Sequence, residues 1–256
     1  MSTARVVCII NQKGGVGKTT TAVNLAAALS QLGSRTLLVD LDPQANATLG
    51  FGVQPSSLRA SLYDSLVEDA SIIEVRVTGL AAGVDLLPAH GDMTGMDVAL
   101  QALESPQTRL KSTLADIRAD YDVILIDCPP TLNQLSINGL GAASGIIIPM
   151  QCEYYALEGL SALLDTIDTV RDAVNPALEI DGILRTMYDP RSNLTRDVSR
   201  QLVRYFDRLL FRTVIPRNVR LAEAPSHGEP ATVYDAKSRG AIAYQALAVE
   251  YRRRCL

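Results

Sequence analysis

Histidine is scarce in this chain and cysteine is scattered. The two histidines are His90 and His227, and the four cysteines, Cys8, Cys128, Cys152 and Cys255, form no C-x-x-C pair and no Cys/His pairing. Such spacing offers no zinc or iron–sulfur site from a single chain, and the cysteines read as buried free thiols of a reducing compartment. Long apolar runs are missing too. The stretch Val6 to Ile10 is too short for a signal peptide or a membrane span, and Cys255 stands next to last, not fourth from last as a prenylation box requires. A soluble, cytoplasmic protein is expected. Nor is there an excess of positive charge: 24 Lys and Arg stand against 28 Asp and Glu, a formal net charge of −4. This argues against a chain coated in positive charge but leaves room for a local basic patch. With 47% hydrophobic and 20% charged residues, collagen-like, low-complexity and disordered classes are excluded.

What is present is alternation. Apolar β-branched runs at Val6 to Ile10, Thr36 to Val39, Val84 to Leu87, Val123 to Ile126, Ile146 to Pro149, Ile183 to Met187 and Thr213 to Ile215 are separated by helical stretches. Several are apolar throughout, as strands covered on both faces are. Helices are expected over Thr20 to Leu32, closed by Gly33, and over Thr108 to Arg118, Leu157 to Val174, Thr195 to Leu210 and Arg239 to Arg254. Gln54 to Ser57 and Glu104 to Gln107 read as loops. No repeat and no domain boundary is visible. The expectation is one α/β domain over residues 1–256, a mostly parallel twisted sheet covered by helices on both faces.

Between the first strand and the first helix lies Asn11-Gln12-Lys13-Gly14-Gly15-Val16-Gly17-Lys18-Thr19-Thr20. Glycines let successive N–H groups turn toward one spot, and the helix N-terminus adds its partial positive charge there. In such a phosphate-binding loop Lys18 reaches the β- and γ-phosphates, and the Thr19 hydroxyl ligates Mg²⁺. The usual G-x-x-x-x-G-K-[ST] pattern has Gly where this chain has Gln12. Instead the loop carries an extra lysine, Lys13, a second cation unneeded in its own site but within reach of a facing subunit's phosphates.

Three acids stand at strand ends. Asp40 closes the second run, with Asp42 two residues on, and either can serve a magnesium shell or the attacking water; an Asx-type turn is the plainer reading of that segment. Asp127 closes the fourth run, where a Walker B aspartate sits and takes a water of the magnesium shell. After it, Pro129-Pro130 delays the next helix and leaves a loop able to sense the γ-phosphate. No Asn-Lys-x-Asp or Thr-Lys-x-Asp run is present, so ATP is favoured over GTP.

The run Lys13 to Thr20 resembles the deviant phosphate loop of the ParA/MinD group of dimerising ATPases. Asp40 to Thr48, Asp127 to Pro130, Gln151 to Gly159 and Val214 to Ser226 narrow the similarity to the ParA/Soj chromosome-partition branch, with Ala45 standing where Gly is common. The resemblance implies a P-loop NTPase fold, ATP and Mg²⁺ as cofactors, and an ATP-sandwich homodimer in which Lys13 crosses to the partner's nucleotide. It further implies that Asp42 positions the attacking water while Asp40 supports the magnesium shell. Pro216 and Asn218 would border the adenine, and Glu153 would face the dimer interface. Arg191 and Arg220 match positions used for DNA binding.

Arginines gather in the C-terminal half, as Arg185, Arg191, Arg196 and Arg200, then Arg217 and Arg220, then Arg252-Arg253-Arg254. They suggest a basic face, with Arg217 joining Arg191 and Arg220 on nucleic-acid backbone. No helix-turn-helix signature is visible, so binding to double-stranded DNA should lack sequence preference. A ParB-like centromere-binding partner and a nucleoid-associated location are implied by the resemblance. Two rivals remain: a MinD-like membrane-associated positioning ATPase, and an ATP-dependent metabolic enzyme such as a dethiobiotin-synthetase-like ligase. Against the first, the tail Ala241 to Tyr251 puts Tyr244, Leu247, Ala248 and Tyr251 on one helical face without bulky anchors.

Overall fold

The seven apolar runs form β1 (Arg5–Ile9), β2 (Thr36–Asp40), β3 (Asp85–Leu87), β4 (Val123–Asp127), β5 (Gly145–Gln151), β6 (Glu179–Tyr188) and β7 (Leu210–Pro216). In the computed structural model, which describes residues 4–90, 93 and 95–256, they build one all-parallel sheet in the order β3-β2-β4-β1-β5-β6-β7. The helices among the described residues are α1 (Lys18–Gln31), α2 (Asn46–Leu49), α3 (Leu62–Val67), α4 (Ile72–Val75), α5 (Met96–Gln101) and α6 (Arg109–Leu114), followed by α7 (Gln134–Ala142), α8 (Ala156–Ala173), α9 (Asn193–Phe206), α10 (Val219–Glu223), α11 (Ala231–Tyr234) and α12 (Arg239–Cys255).

Strand residues alternate between two cores because successive side chains leave opposite faces of a strand. Val6 and Cys8 of β1 face the layer of α3 to α9, while Val7 and Ile9 face α1 and α12. Tyr244, Leu247, Ala248 and Tyr251 all lie buried on the sheet, as the spacing of the tail predicts. The Tyr251 hydroxyl donates to Asp181 Oδ2 at 2.6 Å, and Arg5 Nε donates to the same carboxylate at 3.2 Å. α12 is therefore fixed to β1 and β6 by a buried polar knot as well as by apolar area.

Some boundaries move. α9 ends at Phe206 and not at Leu210, which opens β7, and α6 stops at Leu114 with a 3₁₀ turn at Arg118–Asp120 in place of the expected helix to Arg118. Pro55–Ser57, read as loop, closes into one 3₁₀ turn. Helix α7, which begins four residues after Pro130, is not among the helices expected from the sequence. Its glycine has a packing cause: a Cβ on Gly139 would lie 3.1 Å from the sulfurs of both Cys8 and Cys128. The cysteines are free thiols, buried at Cys8, Cys128 and Cys152 but only half-buried at Cys255.

At the sheet edge, β7 slips out of register with β6, since Ile183 pairs with Leu210 but Arg185 with Val214. The bulge releases backbone donors that α12 recovers: Arg212 N and Thr213 N donate to Glu250 Oε1 and Oε2 at 2.7 and 2.9 Å. Burial opposes the charged Glu250 carboxylate, yet these hydrogen bonds outweigh it and hold its pKa below the ordinary glutamate value. Glu250→Ala should therefore cost about 2–3 kcal/mol by stranding both donors, with Glu250→Gln costing less, as read by denaturant unfolding. A depressed carboxylate pKa gives stability present above the unfolded value and lost as pH falls through the folded one. The difference between wild type and Glu250→Ala should accordingly shrink below pH 4; a constant difference would mean the charge is not what holds the bulge.

Candidate nucleotide site

In doubly wound sheets, ligands sit beyond the carboxyl ends of strands, where the strand order reverses. Here that place is the end of β1, flanked by β4 and β5. The chain leaves Ile9 and reaches α1 through Gly15 (φ +71°) and Gly17 (φ +90°), a left-handed geometry that residues with a Cβ seldom adopt. Gly17 caps α1 without a side-chain acceptor, so the N–H groups of the first turn stay free for an anion.

Side chains from outside the loop hold its shape. Thr186 Oγ1 donates to Val16 O at 2.7 Å, Gln151 Nε2 donates to Gly15 O at 3.3 Å, and Asn11 ties its start by donating from Nδ2 to Pro149 O at 2.8 Å. The carboxyl ends of β5 and β6 thus fix the loop from behind. Lys18 is 7% exposed and donates from Nζ to Lys13 O at 3.2 Å. Burial lowers its pKa, against the pull of Asp127 and Asp42, which leaves a poorly solvated cation beside open N–H groups. Lys13 points outward and pairs with Glu153 of the same chain.

Asp40 and Asp127 are register partners across β2 and β4, and both are fully buried. Their environments differ. Asp40 Oδ2 accepts from Thr48 N at 2.8 Å and Thr48 Oγ1 at 2.7 Å, and its Oδ1 accepts from Asp42 N at 3.2 Å. Desolvation still pushes its pKa up to about 6. Neither oxygen of Asp127 has a hydrogen-bond partner among the described residues, and burial, reinforced by the charge of Asp40, raises its pKa well above the ordinary value, with Thr19 and Lys18 opposing. An unpartnered buried carboxylate beside a threonine hydroxyl and a lysine has the chemistry of a divalent-cation shell. Asp42 Oδ1 accepts from Gln44 N at 3.0 Å, the Asx turn read from the sequence, and this leaves Oδ2 available. Ala45, where Gly is common, takes φ +54°.

A cavity of about 260 Å³ opens beside the loop between Gly17, Thr20, Thr186, Pro216, Asn218 and Tyr244. Asn218 Oδ1 accepts from Arg220 N at 3.0 Å to cap α10, so its amide N–H groups remain for a ligand. The cavity is mostly apolar on the β7 side and meets the free N–H groups at Gly17, a shape suited to a flat ring system carrying a phosphate tail.

A family model described as an AAA domain matches residues 4–180. The sporulation initiation inhibitor protein Soj of Bacillus subtilis is 48% identical over 96% of this chain and 97% of its own. The chromosome partitioning protein ParA of Myxococcus xanthus is 47% identical over 98% of this chain and 88% of its own. The chain belongs to the ParA/Soj family of partition ATPases. Among solved structures, cobyrinic acid a,c-diamide synthase of Mycobacterium smegmatis with bound ATP analog and magnesium shares the fold at a TM-score of 0.84 and 38% identity, covering 96% of this chain and 93% of that one.

Within this ParA-family fold the phosphate-loop residues, Asp40, Asp42, Asp127, Pro216 and Asn218 converge on one sheet edge. Asn11 and Gln151 stand at the heads of segments singled out in the sequence, but their clamping role, and that of Thr186, gave no warning there, because such a side chain near a strand end is ordinary until the partner strand is known. The arginines do not form one face. Arg191, Arg217 and Arg220 follow the carboxyl ends of β6 and β7, beside the nucleotide cavity, and Arg217 lines its rim. Arg253 and Arg254 stand about 20 Å away along α12, next to Arg208 and Leu210 at the opposite sheet edge. The C-terminal basic run is thus separate from the other three arginines.

Proposed function

We propose that this chain, acting as a single domain over residues 1–256, is a cytoplasmic partition ATPase whose ATP-bound homodimer binds duplex DNA without sequence preference. A ParB-like partner would stimulate the hydrolysis that resets it. The observation that carries the reading is the loop itself: Lys18 is buried beside the loop's free N–H groups while the Lys13 side chain, five residues earlier, is exposed and turns away from Lys18 to Glu153. Gly14 to Thr20 would wrap the phosphates, Pro216 and Asn218 would border the base, and Thr19 and Asp127 would hold Mg²⁺. When bound, Mg²⁺ supplies charge neutralisation on the phosphate oxygens. Asp40, already satisfied by Thr48 and Asp42 N–H, would act by keeping the Asp42 turn in place beside that shell, and Asp42 would orient the attacking water through Oδ2. In the dimer Lys13 would exchange Glu153 for the partner's phosphates, a change that costs little because exposed ion pairs contribute about 0–1 kcal/mol.

DNA would lie on Arg191, Arg217 and Arg220 at the nucleotide edge, which places a nucleoid-associated dimer's phosphate contacts next to its ATP. Arg191 is held by Asp189 at 2.9 Å, and Arg220 by Glu223 at 2.7 Å; both pairs are exposed and can give way to phosphates. A MinD-like membrane role is disfavoured because the apolar side of α12 is buried on the sheet. A metabolic ligase has no use for an outward Lys13.

The test is a titration of duplex DNA with ATP, ADP or no nucleotide, run beside light scattering. Tight DNA binding and a doubled mass should both require ATP; DNA binding without nucleotide, or a monomer throughout, would overturn the reading. Arg220→Ala removes two phosphate contacts per dimer and should lower the slope of log affinity against log salt by roughly 1.8, at about 0.9 per contact. ATP binding should be unchanged. An unaltered slope would mean that Arg220 does not touch DNA.

A further inference from the structure

The basic run that the nucleotide edge does not use has a setting of its own. At the opposite edge of the sheet, a groove of about 840 Å³ runs between α9, the start of β7 and the end of α12, edged by Arg208, Arg212, Arg253 and Arg254. Of its lining arginines, two are committed to the fold. Arg254 donates from Nη1 to Leu210 O at 2.9 Å and from Nη2 to Arg208 O at 3.1 Å, and its guanidinium lies 4.7 Å from the Phe211 ring centre. Arg185 donates from Nη1 to Ser199 and from Nη2 to Phe211 O, yet its Nε is buried without a partner among the described residues.

The other three, Arg208, Arg212 and Arg253, are exposed and have no hydrogen bond or ion pair from their side chains among the described residues. Against them stand Asp207 and Glu250, the latter held by the N–H groups of the β7 bulge and faced by Arg254 at 3.7 Å, so five arginines meet two carboxylates along the groove. Between the arginines the floor is apolar, from Val203, Ala246 and Val249, and Val203 is 44% exposed. In a chain whose overall charge is −4, a concentrated unpaired positive rim over an apolar floor is a local reversal of sign. Phosphate backbone would match the rim but leave the floor unused. An acidic peptide segment carrying apolar side chains would satisfy both.

We propose that this groove docks an acidic, apolar-punctuated segment of a partner protein, at a site separate from the nucleotide and DNA edge. Arg185, the β6 residue that lines the groove, precedes Asp189 at the nucleotide edge by four residues, about 13 Å at roughly 3.3 Å per residue.

A random 12-residue peptide library displayed on phage would be panned on the full-length protein, with counter-selection on a variant carrying Arg208→Ala, Arg212→Ala and Arg253→Ala. The enriched pool should be acidic with at least two apolar residues per peptide. A fluorescently labelled peptide from it should bind the triple variant at least tenfold more weakly. Val203→Glu, which alters the floor and leaves the arginines intact, should weaken binding as well, while ATP turnover and melting temperature stay at wild-type values in both variants. A pool without acidic enrichment, equal binding to the triple variant, or insensitivity to Val203→Glu would overturn the proposal. So would displacement of the peptide by duplex DNA, which would make the groove a nucleic-acid surface, or by inorganic polyphosphate alone, which would make it a simple anion site.

Discussion

Asp127→Asn is expected to make the nucleotide-free protein more stable and at the same time to remove its magnesium-dependent ATP hydrolysis. The carboxylate is fully buried and unpartnered, in register with a second buried acid, and its pKa is raised. For an acid whose folded pKa exceeds its unfolded value, the folded state holds the proton more tightly, so stability falls as pH rises from the unfolded pKa through the folded one. At pH 7 the wild type carries that cost, and a neutral amide does not. A gain of about 1–3 kcal/mol, or roughly 2–4 °C per kcal/mol for a chain of this size, should appear at pH 7 and shrink as pH is lowered toward 4. Hydrolysis should fall on the order of 10²–10³-fold. Calorimetry that finds the variant less stable at pH 7, or turnover near wild type, would remove Asp127 from the proposed magnesium shell.

Loss of the Asp42 carboxylate should act on a different step. Asp42→Asn keeps an oxygen for the Gln44 N–H turn but removes the charge that would orient water, and Asp42→Ala removes both. Turnover should fall on the order of 10²–10⁴-fold in each, with ATP binding retained, so size-exclusion chromatography in ATP should show a dimer that persists for hours. Lys13→Ala should give the opposite phenotype, an ATP-bound monomer. If Asp42→Ala were monomeric in ATP, or Lys13→Ala dimeric, the division of labour between the two residues would be wrong.

These effects concern residues legible in the sequence, and the reason is physical. A phosphate loop, and acids that close apolar runs, are local patterns whose place at the carboxyl edge follows from parallel topology alone. The seven strands were legible for a related reason: strands covered on both faces are continuously apolar. What stayed hidden was relational. Thr186 clamps Val16 from a strand 170 residues away, and Thr48 turns Asp40 into an anchor for its own loop. Helix α7 was not foreseen, and the contact its Gly139 answers to, the sulfurs of Cys8 and Cys128, is set by residues that are distant in sequence or follow another strand. The arginines were visible, but which sheet edge each reaches depends on the direction in which α12 runs, and no local pattern encodes that.

The Glu250 bracket on β7 has a counterpart at the other end of the sheet, where Val77 exchanges backbone hydrogen bonds with Leu86 of β3 at 2.9 Å in each direction. An outermost strand with free N–H and C=O groups invites another chain to add itself and so seeds aggregation. Here the exposed donors of the bulge are taken by a carboxylate, carbonyls of Leu210 and Phe211 by arginines, and β3 carries a short antiparallel cover. Two copies therefore gain little by extending one another's sheets. Under the proposed cycle, in which two copies pair and part at the loop-bearing edge with each nucleotide turnover, such protection would shield the protein from a sheet-to-sheet pairing that it could not easily undo.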